Sequence, residues 1–264
     1  MPRVEPAVYL IARPQLDLVG LRDYLIAIGG TGWMAERSLD DLKHNGGENL
    51  VEVAGRMCYR SWAPGMNRNV TKVRKDSSDY LANIVRSGHG SVLEHANYTF
   101  VFHNVSRVFT HELVRHRAGV AISQESLRYV RLDTIPVWYP QWAKDDPDVM
   151  ERAEGLVEAM EEFQVWAADH FGLDEPGTDF TTKKHMTSWM RRFAPDGVAT
   201  GIVWTANVRT LRHVIEMRTS PGAEEEIRLV FDGVAKVMVQ ECPALFADFE
   251  RYGDGGWVPQ HRKV

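Results

Sequence analysis

The stretch Arg115-His116-Arg117-Ala118-Gly119-Val120-Ala121-Ile122-Ser123-Gln124-Glu125-Ser126-Leu127-Arg128-Tyr129 decides how the rest of the chain is read. Ser106 is an N-cap candidate for a helix that runs through Arg117. Arg107, His111 and Arg115 recur every four residues, so they would share one polar stripe. Val108, Phe109 and Leu113 supply an apolar side. Beyond the helix comes a turn with hydroxyls, an amide and guanidinium groups. Arginine forks and hydroxyls suit phosphate oxygens. By itself, such a basic patch is more often a solvated or salt-bridged surface.

Outward from this stretch, period-2 aromatic and β-branched runs predict strands at 7–11, 98–102, 128–132 and 198–204. Helical spacing or capping predicts helices at 16–28, 50–62, 76–86, 149–171, 181–193 and 208–218. Another helix should open at Pro221, and a short one should cover 242–252. Residues 31–47 are expected to be a loop or insertion, and 63–75 and 136–148 are expected to be loops. Strands and helices mix without βαβ alternation, which favours α+β. No linker interrupts the 264 residues, so one domain spanning 1–264 is expected.

Bulk composition narrows the classes. The chain is 44% hydrophobic and 25% charged, as in soluble globular proteins. A formal net charge of -5 argues against a general nucleic-acid binder. There is no signal-peptide pattern and no apolar run of membrane-spanning length, so a cytoplasmic protein with no membrane partner is expected. Two cysteines, Cys58 and Cys242, cannot build a zinc site; both read as packing residues.

Several chemistries fail on spacing. Ile28-Gly29-Gly30-Thr31-Gly32 lacks the GxGxxG register, and neither a P-loop nor a GxSxG elbow occurs. His111-Glu112 and His116 are one residue too far apart for HExxH. Positions i and i+5 diverge by about 140° on a helix, so no metal site is expected. A second basic cluster comprises Arg191, Arg192, Asn207, Arg209, Arg212, His213 and Arg218. Its ordinary reading is neutralisation by Glu224, Glu225 and Glu226.

Arg115-His116-Arg117, eight residues, then Ser126-Leu127-Arg128-Tyr129 resembles the signature of the flavin-dependent thymidylate synthases. The resemblance continues in His89-Gly90-Ser91-Val92-Leu93-Glu94-His95, in Trp204-Thr205-Ala206-Asn207-Val208-Arg209, in Arg212-His213 and in Glu216-Met217-Arg218-Thr219, in family order. It implies a mainly antiparallel sheet flanked by helices and a homotetramer with active sites between subunits. It also implies methylation at uracil C5 of dUMP to dTMP. Methylenetetrahydrofolate would be the carbon donor, and FAD, reduced by NADPH, would be the hydride source. Ser91, Arg115, His116, Arg117, Asn207, Arg209 and His213 would then contact FAD, with His89 and Glu94 shaping its pocket. Gln124, Glu125, Ser126, Leu127, Arg128 and Arg191 would hold the nucleotide. Arg218 would sit against the uracil and favour its ionisation at N3.

One departure stands out. Glu112 occupies a position where the family usually has glutamine. It is expected to pair with His116 at i+4, the alternative being a contact to the nucleotide sugar. That leaves UMP, in a modified-nucleoside pathway, as an alternative substrate. A flavin- or nucleotide-binding protein without turnover is the second alternative.

Overall fold

The computed structural model describes residues 2–264. Strand β1 (Ala7–Ala12) leads into helices α1 (Leu18–Ile28), α2 (Gly32–Ala35), α3 (Leu39–His44), α4 (Gly46–Tyr59), α5 (Ser77–Arg86) and α6 (Gly90–Leu93). Strand β2 (Asn97–Ser106), helix α7 (Arg107–Leu113) and strand β3 (Val120–Gln124) follow. Helices α8 (Gln141–Lys144), α9 (Pro147–His170) and α10 (Phe180–Met190) then lead through a 3-10 turn, Arg191–Phe193, into β4 (Ala199–Asn207). Helices α11 (Val208–Thr219) and α12 (Glu225–Glu241) and the hairpin of β5 (Phe249–Arg251) and β6 (Trp257–Pro259) complete the chain.

The main sheet has the order β1-β2-β4-β3, and every neighbouring pair is antiparallel. This is the α+β architecture expected from the sequence. Tyr98, Phe100 and Phe102 alternate inward along β2, and Ile202, Trp204 and Ala206 do so along β4. With Phe109 of α7 and Phe231 of α12 they form a buried aromatic core between the sheet and its helices. Each large ring buried this way contributes about 2–3 kcal/mol.

The long strand β2 carries a bulge that matters for the site. Its register against β4 shifts between Phe102 and Val105, and Asn104 takes φ 57. Asparagine tolerates this left-handed backbone better than most residues. The bulge turns the strand end so that Ser106 begins α7, its hydroxyl accepting from Phe109 N at 3.0 Å.

Several sequence expectations are corrected. Residues 31–47 are not a loop: α2, α3 and the start of α4 occupy them, because Trp33 and Leu42 pack with Leu25 and Trp62. Residues 128–132 form turns, and the strand lies earlier, at β3. There Val120 and Ile122 stand opposite Ala206 and Trp204. The helix capped by Ser106 ends at Leu113, short of Arg117. Residues 136–148 hold α8 and the proline-led start of α9. Pro221 lies in a turn, and Glu224 caps α12 instead. Residues 242–252 form turns and β5 rather than a helix. Cys58 is exposed near the end of α4, so its packing role fails, whereas Cys242 is buried as expected.

Candidate active site

The turn after α7 places the Arg115-His116-Arg117 triplet at the mouth of a cavity of about 510 Å³. The opposite wall is α11, whose Arg209, His213 and Glu216 recur at i, i+4 and i+7 and so face the same way. Asn207 caps α11 by accepting from Thr210 N at 2.9 Å, and it lines the same space. Gly119 is what lets the two walls meet. Its φ is +69, and a Cβ there would lie 2.3 Å from Asn207 Nδ2.

The charges of this cavity are unevenly neutralised. Glu94 accepts from Arg209 at 2.6 Å. Arg115 and Arg117 have no hydrogen bond or ion pair among the described residues. Glu94, Arg115, His116, Arg117, Asn207, Arg209 and His213 all line this cavity. His89 and Ser91 do not line the cavity: His89 meets Tyr59, and Ser91 is exposed on α6.

His116 connects this cavity to a second feature. Its Nε2 accepts from Arg218 Nε at 2.7 Å. Arg218 also donates from Nη1 to Glu112 Oε2 at 2.5 Å and from Nη2 to Glu112 O at 3.0 Å. Glu112 therefore pairs with Arg218, not with His116 as the i+4 spacing suggested, and Arg218 bridges the two. The His116 ring is pushed down to about 4 by burial, by cationic Arg218 and by His213. A neutral ring with its proton on Nδ1 is the form that accepts from Arg218.

At the other end of α7 lies a cavity of about 330 Å³ lined by Arg107, Leu127, Arg191, Arg192 and Asp196. Arg107 Nη1 is buried without a hydrogen-bond partner among the described residues. A buried unpaired guanidinium nitrogen costs free energy until an acceptor fills it. Sequence patterning placed Arg107 on a stripe with Arg115, but the helix ends between them and they serve different cavities. Sequence reasoning put Arg107 in a polar stripe and Arg192 in a basic cluster without making either a nucleotide residue; that they meet in one cavity is decided by the tertiary structure.

The remaining nucleotide candidates are dispersed. Gln124 donates to Thr110 Oγ1 at 3.3 Å, and Glu125 accepts from Gly201 N at 3.0 Å, which ties the end of β3 to β4. Ser126 accepts from Arg128 N at 3.4 Å, and the exposed Arg128 guanidinium lies 5.9 Å from the Tyr129 ring centre. Glu224, Glu225 and Glu226 do not neutralise the arginines of α11. Glu226 is buried and accepts from Ser106 N at 2.7 Å, fixing the start of α7. Glu225 meets Trp142, and Glu224 caps its own helix. Arg212 is spent on Asp248, at 2.8 and 2.9 Å.

Neither cysteine lies in these cavities. Cys242 faces Tyr98 OH at 2.9 Å, and burial pushes its thiol well above the ordinary range. A thiolate nucleophile is thereby disfavoured.

An antiparallel sheet with two arginine-lined cavities at opposite ends of one helix defines an α+β protein whose cavities are suited to anionic groups. Over residues 42–244 the chain matches the family described as thymidylate synthase complementing protein. A flavin-dependent thymidylate synthase of Mycobacteroides abscessus is 34% identical over 237 residues, covering 89% of this chain and 92% of that one. One of Mycobacterium tuberculosis is 37% identical over 210 residues, covering 78% and 81%. Among solved structures, the UMP/dUMP methylase PolB from Streptomyces cacaoi bound with 5-Br UMP superposes with a TM-score of 0.62 at 16% identity, covering 93% and 94%. Thymidylate Synthase X from Helicobacter pylori, with FAD and dUMP, gives 0.54 at 20% identity, covering 76% and 93%. The chain belongs to the flavin-dependent thymidylate synthases, and it is a methyltransferase of that type.

Proposed function

We propose that the chain, acting as one catalytic domain, methylates uracil C5 of dUMP to give dTMP. The observation that carries this reading is the placement of Arg107 at the start of α7 and of Glu112 near its end, where Glu112 meets Arg218 of α11, which is itself bonded to His116. Arg107, with its unpaired buried nitrogen, stands five residues before Glu112, or about 7.5 Å at 1.5 Å per residue. That is the length scale of a mononucleotide from phosphate to base. Arg107, Arg191 and Arg192 would take the phosphate. Arg218 would face the uracil.

Three of the five N–H groups of Arg218 are committed to His116 and Glu112, which leaves two for the ring. Held this rigidly, the guanidinium stabilises negative charge on the uracil as N3 ionises, without reorganising. His116 contributes an acceptor and no competing positive charge. The ring is activated without a cysteine.

The larger cavity fits FAD. Its volume lies within the range of about 300–1,000 Å³ usual for small-molecule sites, and Arg115 and Arg117 offer unpaired charge to a dinucleotide. When bound and reduced by NADPH, FAD supplies the hydride that completes the methyl group whose carbon comes from methylenetetrahydrofolate. Residues of this chain bind and orient it: Arg115 and Arg117 beside Asn207 and His213, with Arg209 fixed by Glu94. Ser91 and His89, outside the cavity of one chain, fit the reading if a neighbouring subunit completes the site. The half-buried Ser126 and the exposed Arg128 would likewise serve a neighbour's nucleotide in a homotetramer, which sedimentation analysis tests. Among the described residues, no helix is long and apolar enough to cross a membrane.

A second reading, methylation of UMP, draws on Glu112. Its Oε2 is held by Arg218, which leaves Oε1 to accept from a ribose hydroxyl. Turnover of dUMP and UMP side by side, with methylenetetrahydrofolate and NADPH, separates the two. Faster dUMP methylation is expected, and a clear preference for UMP would replace the first reading with the second. NADPH oxidation that ignores both nucleotides would remove both.

A further inference from the structure

Residues 257–264 lie beyond the segment that matches the family, which ends at 244. They are nonetheless built into the larger cavity. Strand β6 pairs with β5, and Asp248 then grips the following residues: its backbone oxygen accepts from Gln260 N at 2.9 Å, and its carboxylate accepts from His261 N at 3.0 Å. Arg212 of α11 closes the clamp. It bonds the Asp248 carboxylate and donates to His261 O at 3.2 Å. Burial would raise the Asp248 carboxyl, but the Arg212 guanidinium holds it below its usual range.

The strap so fixed runs along the cavity rim. Pro259, His261, Arg262 and Val264 line the cavity together with the Arg115–Arg117 turn and α11. Val264 sits so close to α6 that a Cβ on Gly90 would lie 2.9 Å from its backbone carbon. Arg262 Nε lies 2.9 Å from Glu216 Oε1, which aims the side chain along the α11 wall. Its terminal nitrogens make no hydrogen bond among the described residues, and the side chain is 65% exposed. Arg262 is therefore positioned by the fold and is not needed to hold it together.

We infer that the strap 259–264 is one wall of the flavin site and that Arg262 is a cofactor-binding residue for the diphosphate of FAD. The inference rests on the larger cavity taking FAD. The adenine and the isoalloxazine are uncharged near neutral pH, so the diphosphate is the only part of FAD with an anion to offer a third arginine. Glu216 keeps that arginine in place before the cofactor arrives.

The test is the affinity of the full-length apoprotein for FAD and for riboflavin, read by quenching of flavin fluorescence. Arg262→Ala should bind FAD about five- to tenfold more weakly, the scale of one partly exposed charge-assisted contact. Arg262→Glu should lose more. Riboflavin affinity and the thermal midpoint without ligand should match the parent in both variants. Parental FAD affinity in both variants, or an equal loss for riboflavin, would overturn the assignment. A parent protein that takes up no FAD would instead overturn the cofactor reading beneath it.

Discussion

His116 provides a quantitative check on how the site is held. Its ring stands at about 4 in the fold against 6.5 for an ordinary histidine. The unfolded chain therefore takes up the proton first. The stability from this group is whole above pH 6.5 and drains as pH falls toward 4. At 1.36 kcal/mol per unit, the full difference is about 3 kcal/mol, and about 2 kcal/mol of it would be gone by pH 5. The ring is only half-buried, so about 1–2 kcal/mol is the expected loss at that pH. Glutamine can accept from Arg218 through its amide oxygen but does not titrate. Urea unfolding of the parent and His116→Gln, at one protein concentration and at pH 7.5, 6 and 5, isolates the term from all other ionisations. The parent's stability relative to the variant should fall by that amount across the range. Parallel curves, within about 0.3 kcal/mol, would refute the claim that His116 is held neutral as the acceptor for Arg218.

Arg218→Ala should lower kcat by about 10²–10³ while the far-ultraviolet circular dichroism is kept, because the lost group acts on charge developing in the ring. Unchanged turnover would refute its role. Arg107→Ala should weaken dUMP binding by about 10- to 100-fold in calorimetry and leave FAD affinity alone, since a charge-assisted contact carries about 1.5–3 kcal/mol. Gly119→Ala should cost about 1–3 kcal/mol in urea unfolding, from a strained φ and the close approach to Asn207. Cys58→Ser and Cys242→Ser should each retain turnover in the nucleotide assay, and loss of activity in soluble, folded Cys58→Ser would reopen a thiol mechanism.

What the sequence determined by itself was local and chemical. The alternation of aromatic and β-branched residues marked β2 and β4, Ser106 announced the helix start it caps, and the spaced triplet and serine-arginine segment carried the family. These signals survive in one dimension because capping, alternation and motif spacing act over a few residues. Only the tertiary structure decided which charges are satisfied. Ion pairs form across long sequence separations, so Glu112 turned to Arg218, 106 residues away, rather than to His116 one turn on. Helix α7 stopped at Leu113, which sent Arg107 and Arg115 to different cavities. The two helices within 31–47 form because Trp33 and Leu42 find apolar partners on α1 and at Trp62, a gain that local propensity does not register. The residues 259–264 became part of the larger cavity through Arg212 and Asp248, a clamp that no spacing rule foresees.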